Sequence, residues 1–386
     1  MARAFGATFA VLSWAFTAWW GSHRSASPRV LGRWSPGYAA SVGAAALVSL
    51  ALTLAVWFPT GRRILKRLGV AAAATVATLL LAEAAFRLLD PWGISYYETS
   101  FQLQRARIAD PDLQFRNAPN RHVAAAGVEY DFNELGMRER PVGAKSAGEY
   151  RVLLLGDSVT MAWGVPFEDT PGIQLERAAS ARSGRSVRTL NAGVGGYNTV
   201  QELAFLRKFG EALEPDLVLL LYAGNDQEAN EPLGDPQAAF TLAGRTPPEV
   251  MQRLAWRSWI WRAVLHWKRY ARRAAAPPID RGSEGWRASM ASVRAIADEC
   301  ARRGVAFGLV FARWRRDPVF EALEADLAAA AREKGIVYED ALPWFGGRDL
   351  SVLRRSAVDG HLNREGNHLF GAGLDGFLAR HSWPPP

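Results

Sequence analysis

The stretch Arg151-Val152-Leu153-Leu154-Leu155-Gly156-Asp157-Ser158 decides the fold. After its first residue the run is wholly apolar, and it stops at a glycine. A short continuous apolar run predicts a strand covered on both faces, as in a parallel sheet packed between helices. Sheets of that kind bind ligands at the carboxyl ends of their strands. Ser158 stands just past such an end, and this is where chemistry is expected.

Downstream, the hydrophobic period changes repeatedly. Pro171 to Ser183, Thr199 to Leu213, Trp286 to Arg303, Pro318 to Lys334 and Arg364 to Arg380 carry helical spacing. Val187 to Leu190, Asp216 to Tyr222, Val305 to Phe311 and Ile336 to Glu339 read as short strands, and the second of these is apolar after its aspartate. Strands alternating with helices predict a three-layer α/β domain over 150–386 with a parallel sheet. No internal repeat is evident. An insertion at about 228–285 interrupts the alternation. There Trp256, Trp259, Trp261 and Trp267 are interleaved with arginines and Lys268, a pattern that suits a membrane surface, a lid over the site, or an ordinary amphipathic helix with its arginines in water.

Upstream, the composition changes near residue 90. Gly37 to Phe58 carries no charge and is long enough to cross a bilayer. Gly69 to Leu89 is a second candidate, interrupted by Glu83 and Arg87, which share a helix face. Phe5 to Trp20 is a shorter third. Residues 1–90 therefore read as a membrane region with two or three transmembrane helices. Arg62, Arg63, Lys66 and Arg67 lie between the last two stretches, and positive loops stay cytoplasmic. The expectation is a membrane protein whose later domain lies on the extracytoplasmic side. Residues 91–149 read as a polar, irregular connecting segment packed on the catalytic domain.

The bulk composition allows this architecture. Of 386 residues, 49% are hydrophobic and 22% charged, which supplies a core and is not the balance of a disordered chain. The net charge of +8 is spread without a dense basic block, so no nucleic-acid partner is expected. A single cysteine, Cys300, excludes an internal disulfide and a four-cysteine metal site.

Four strand ends carry distinctive residues: Gly156-Asp157-Ser158, Asn191-Ala192-Gly193-Val194-Gly195-Gly196-Tyr197-Asn198, Ala223-Gly224-Asn225-Asp226 and, late in the chain, Asp359-Gly360-His361-Leu362-Asn363. Together they fit acyl transfer. A serine hydroxyl becomes a nucleophile when a base takes its proton, and His361 can be that base. A carboxylate on the far ring nitrogen fixes the tautomer, and Asp359 is the nearest in sequence. The Ser158 N–H, the Gly196 N–H and the Asn225 side-chain amide can supply an oxyanion hole. The competing reading of the glycine run as a dinucleotide loop fails, because Asn198 falls where the third glycine belongs. Asp226 and His368 read as structural, and His122 has no evident catalytic partner.

These blocks resemble the SGNH, or GDSL, hydrolase family, named for its serine, glycine, asparagine and histidine blocks. Here they fall on Ser158, Gly196, Asn225 and His361, in the family's order, over about residues 150–380. The resemblance implies a flavodoxin-like sheet and hydrolysis of carboxylic esters or thioesters, with no metal or cofactor. In the usual pattern the aspartate stands three residues before the histidine, where this chain has Val358; Asp359 is two before. A similar spacing occurs in SGNH-like proteins of bacterial polysaccharide acetylation. Another carboxylate, or a backbone carbonyl, is the alternative partner for the ring. Anchored family members carry a segment similar to Asn133-x-x-Gly136-x-Arg138. The functional expectation is a serine esterase acting on an O-acyl ester of a glycan or lipid. The alternatives are an O-acyltransferase for a surface polysaccharide with the same triad, and an inactive, tethered glycan-binding module.

Overall fold

The computed structural model describes residues 2–22, 30–31, 34, 36–90, 92–125, 127–228, 257–264, 267, 280–314, 318–356 and 359–385. The chain divides into two units, Met1–Leu88 and Leu89–Pro386.

The first unit holds three helices, α1 (Ala2–Ser22), α2 (Pro36–Trp57) and α3 (Pro59–Leu89). Two segments, Tyr38–Val56 and Arg63–Leu89, are long and apolar enough to cross a membrane. Large apolar side chains such as Leu47, Val48, Leu80 and Leu81 are exposed. α1 covers the shortest of the three expected stretches and packs on α2 through polar contacts. Ser13 and Ser49 hydroxyls meet at 2.6 Å, Thr17 reaches Ser49 at 2.9 Å, and Trp14 donates to Thr53 at 3.0 Å. Small hydroxyl residues let helix backbones approach where water supplies no hydrophobic drive. Glu83 and Arg87 form an ion pair along α3 at 2.8 Å.

The second unit is built on a five-stranded parallel sheet. Its strands are β5 (Tyr150–Gly156), β6 (Val187–Asn191), β7 (Leu217–Tyr222), β8 (Ala306–Phe311) and β9 (Val337–Asp340), in the order β6-β5-β7-β8-β9. Chain order reverses direction at β5, so the crevice past the ends of β5, β6 and β7 is the expected ligand position. Alternate residues of β7 serve different layers. Val218, Leu220 and Tyr222 join a core with α6 (Thr199–Leu213), α7 (Glu284–Arg303) and α8 (Pro318–Lys334). Leu217, Leu219 and Leu221 join another with α5 (Pro171–Ser183) and α9 (Arg364–Arg380). This is a three-layer α/β fold, a parallel sheet between two layers of helices. Cys300 lies inside the first core, and burial pushes its thiol up to about 12.

Helix starts follow from capping chemistry. Thr170 caps α5 ahead of Pro171, and Asn198 forms a capping box with Gln201 at α6. The residue that spoils a dinucleotide fingerprint thus starts the helix that follows the glycine run.

The segment at 91–149, expected to be irregular, contains regular structure. It holds α4 (Tyr96–Arg105) and two antiparallel hairpins, β1 (Arg107–Asp110) with β2 (Gln114–Asn117), and β3 (His122–Ala125) with β4 (Val128–Asp131). Each strand has four residues, too few for a clear period, and alanine, arginine and aspartate replace the usual β-formers. Burial still alternates along β3 and β4. Of the insertion, residues 229–256, 265–266 and 268–279 lie outside the described residues, so Trp256 and Lys268 do too. Within the described part, Arg262 is not in water. It is buried, pairs with Glu98 at 3.1 Å and lies over the Trp259 ring.

Candidate active site

Ser158 lies in the turn that leaves β5. The Asp157 carbonyl accepts from Met161 N and the Ser158 carbonyl from Trp163 N, both at 3.0 Å. The Asp157 side chain accepts from Val159 N at 2.7 Å, an Asx-type turn that presents the serine. Burial pushes the Asp157 carboxyl above its ordinary range, against the pull of the Val159 N–H, His361, Asn225 and Ser158.

His361 comes from the loop before α9. The His361 carbonyl accepts from Arg355 N at 2.9 Å, and Asn363 N donates to the Leu353 carbonyl at 2.8 Å, which ties the loop to residues 353–355. Asn363 also caps α9 by accepting from Gly366 N. So fixed, the His361 ring reaches both expected neighbours. Its Nε2 lies 2.8 Å from Ser158 Oγ, and its Nδ1 lies 2.6 Å from Asp359 Oδ1.

The two-residue separation of Asp359 from His361 has a local solution. Asp359 Oδ1 also accepts the backbone N–H of His361 at 3.1 Å, and Oδ2 accepts from Arg355 Nε at 2.9 Å. The Ser356 hydroxyl accepts from Asp359 N. A tight turn thus brings the carboxylate to the ring, and Arg355 holds its far oxygen. Val358, the position the usual spacing would use, lies outside the described residues.

The glycine run after β6 packs backbone to backbone on the Ser158 turn. A Cβ on Gly193 would collide with Met161 N, and would stand 2.8 Å from the Thr160 carbonyl carbon and 2.9 Å from the Asp157 carbonyl oxygen. Asn191 bridges the two loops by donating to the Thr160 carbonyl at 2.8 Å. Gly196 has φ +82°, a left-handed conformation that glycine adopts without strain. Among the described residues, neither the Ser158 N–H nor the Gly196 N–H has an acceptor. The Asn225 amide donates to the Tyr197 carbonyl at 3.3 Å.

Sequence reading missed several neighbours. Trp163 stacks on the His361 ring, with centroids 5.3 Å apart and planes 14° from parallel. Tyr96 lies against both rings. Arg138, the last residue of the Asn133-x-x-Gly136-x-Arg138 segment, is fully buried and donates to the carbonyls of Glu129, Met161, Ala162 and Val165. It also lies over the Tyr130 ring, and the Tyr130 hydroxyl accepts from Gly164 N at 2.7 Å. The segment before the sheet therefore pins the turn after the serine. Only Arg138 left a trace in the sequence, through its motif; the others meet the site across long stretches of chain.

Behind the serine turn lie further acids. Glu202, in the first turn of α6, is 1% exposed, and neither of its oxygens has a hydrogen-bond partner among the described residues. Burial pushes its carboxyl well above the ordinary range, and the charge of Asp157 adds to the push. Asp226 accepts from Ala223 N at 2.9 Å, fixing the turn after β7, and is pushed up by burial and by Glu202. His368 is paired with Asp169 at 2.8 Å, away from the ring of His361.

No curated protein matches the chain in sequence. Similar solved structures include the psychrotrophic esterase EstA from Pseudoalteromonas sp., at 14% identity and a TM-score of 0.38, covering 60% of this chain and 97% of that one. The lipase/acylhydrolase from Enterococcus faecalis is 15% identical, with a TM-score of 0.38 and coverage of 60% and 96%. A catalytic mutant of the acetylxylan esterase Axe2 from Geobacillus stearothermophilus is 13% identical, with a TM-score of 0.39 and coverage of 59% and 94%. The family model for the GDSL-like lipase/acylhydrolase family matches residues 154–369, more than half of the chain. That match runs from the strand that presents Ser158 into the helix that follows His361, and the chain belongs to this family of hydrolases acting on ester bonds.

Proposed function

We propose that the protein hydrolyses O-acyl esters through an acyl-enzyme on Ser158. The observation that carries this reading is the relay Ser158 Oγ–His361 Nε2 at 2.8 Å and His361 Nδ1–Asp359 Oδ1 at 2.6 Å. Ser158 Oγ attacks the ester carbonyl carbon while its proton passes to His361 Nε2. Asp359 accepts from Nδ1–H and stabilises the imidazolium. The carbonyl oxygen, now negative, takes the N–H groups of Ser158 and Gly196 and the Asn225 amide. Collapse expels the alcohol, which takes the proton from Nε2. Water then repeats the sequence, activated by the same nitrogen, and releases the acid and free Ser158.

The substrate we propose is a small acyl group on a glycan or lipid, on the extracytoplasmic side of a membrane. The two long apolar helices support that address, together with Arg62, Arg63, Lys66 and Arg67, which the sequence suggested as a loop and which lie in the first turns of α3. No nucleic acid is expected as a partner. The same acyl-enzyme serves an acyltransferase if a sugar hydroxyl replaces water, and the Asp359-Gly360-His361 spacing favours that second reading. With an acyl donor and a glycan acceptor, free acid alone as product excludes transfer. The assembled relay speaks against an inactive binding module.

A fluorophosphonate probe is expected to label the full chain at one serine, and Ser158→Ala is expected to abolish labelling and ester turnover. Persistent labelling of that variant overturns the assignment.

A further inference from the structure

Arg107 opens β1, in the segment that precedes the sheet, far in sequence from every catalytic block. Its Nη2 donates to the carbonyl oxygen of Gly195. The same nitrogen stands 3.5 Å from where a Cβ on Gly195 would lie and 3.6 Å from the corresponding point on Gly196. The guanidinium lies over the hairpin, with Cζ 4.3 Å from the centroid of the Phe115 ring in β2. Phe115 is in turn fixed to the glycine loop, since its carbonyl accepts from the Tyr197 hydroxyl at 2.7 Å. Arg107 is thus held in place by the loop it contacts.

The Gly195 carbonyl and the Gly196 N–H are the two ends of one planar peptide unit. A donor on the oxygen fixes the direction in which the N–H points. A cationic donor also draws electron density toward the oxygen and makes the N–H a stronger donor. We propose that Arg107 is a positioning residue of the oxyanion hole, acting on the Gly196 N–H through the Gly195–Gly196 peptide. This rests on the assignment of Ser158, His361 and Gly196 made above. Tyr197 N donates to the Val194 carbonyl at 3.0 Å, which makes Gly195 and Gly196 the middle of a turn, and Arg107 braces the peptide between them from the hairpin.

The oxyanion exists only after Ser158 has attacked, so the contribution belongs to the transition state and not to substrate binding. With the full chain and p-nitrophenyl acetate as probe, Arg107→Ala is expected to lower kcat by about 10–100-fold and leave KM within about twofold, less than the loss of a direct oxyanion donor. Fluorophosphonate labelling of Ser158 slows in parallel, because attack on phosphorus builds negative charge on the same site. Arg107→Lys keeps a cation and recovers part of the loss. Guanidinium ion at low millimolar concentration raises the activity of Arg107→Ala and not that of the parent.

A folded Arg107→Ala variant with parental kcat overturns the proposal, and so does one whose loss lies entirely in KM. If Arg107→Ala melts below the assay temperature, Arg107→Lys and Arg107→Met carry the test. Equal kcat in that pair overturns the proposal, since only lysine keeps the charge. Should Ser158→Ala still be labelled, the acyl-enzyme reading itself falls. Should Ser158→Ala be silent while Arg107→Ala is unimpaired, only the role of Arg107 falls.

Discussion

Asp359 and Glu202 are carboxylates of nearly equal burial, 3% and 1% exposed, and they meet opposite fates. Asp359 has a partner on each oxygen, His361 on one and Arg355 on the other. Glu202 has none among the described residues. Burial raises the cost of a charge in both places, but only Asp359 has groups placed to offset it. The contrast teaches that partners, not burial or residue type, decide what a sealed carboxylate does. Arg138 is the mirror case of Glu202. It is buried, no acid pairs with it among the described residues, and burial pulls its guanidinium down to about 10, still far above neutrality. Four carbonyl oxygens take the place of a counter-ion.

The sharpest way to break the comparison is Asp359→Asn. The amide keeps the shape and offers Nδ1 a neutral group, so kcat for p-nitrophenyl acetate should fall by roughly 10³–10⁴-fold with the fold intact. A loss under tenfold would mean that Asp359 is no more than a turn residue. Arg138→Met comes next. It strips the donor from four carbonyls, three of them buried, so the second unit should lose about 3 kcal/mol or more, seen as a melting temperature roughly 10 °C lower. An unchanged melting curve would show that the carbonyls find other donors.

The smallest effect belongs to Glu202→Gln. Glutamine mimics a protonated carboxyl, so activity near neutral pH should stay within about twofold of the parent. The sign of the pH dependence follows from linkage. A carboxyl raised in the folded state binds its proton more tightly there than when unfolded, so the parent loses stability as pH rises from the ordinary carboxylate range toward the raised value. Glutamine has no such loss. Melting temperatures of the two proteins should coincide in acid and separate as pH rises, with the variant above. Parallel curves across the whole range would sink the idea that Glu202 is held protonated.

Much of the fold was legible because it rests on repetition. The apolar runs that become β5 and β7 are buried at every position, and the helices around them keep a helical period. The site was legible where chemistry is local, as in Asp157-Ser158 and Asp359-Gly360-His361. Arg107, Trp163 and Tyr96 were not legible, because each contributes through a contact between segments that no short window contains. The hairpins at 107–131 were hidden by brevity, four residues to a strand. The role of Asp359, left open by its spacing, depended on Arg355 and Ser356, whose side chains close the turn.

The backbone contact at Gly193 has a consequence for anyone who wishes to retarget this enzyme. Any side chain at residue 193 has to displace the backbone of residues 157–161 that presents Ser158. Diversity belongs instead outside these two loops, where side chains can change while the reacting atoms keep their places.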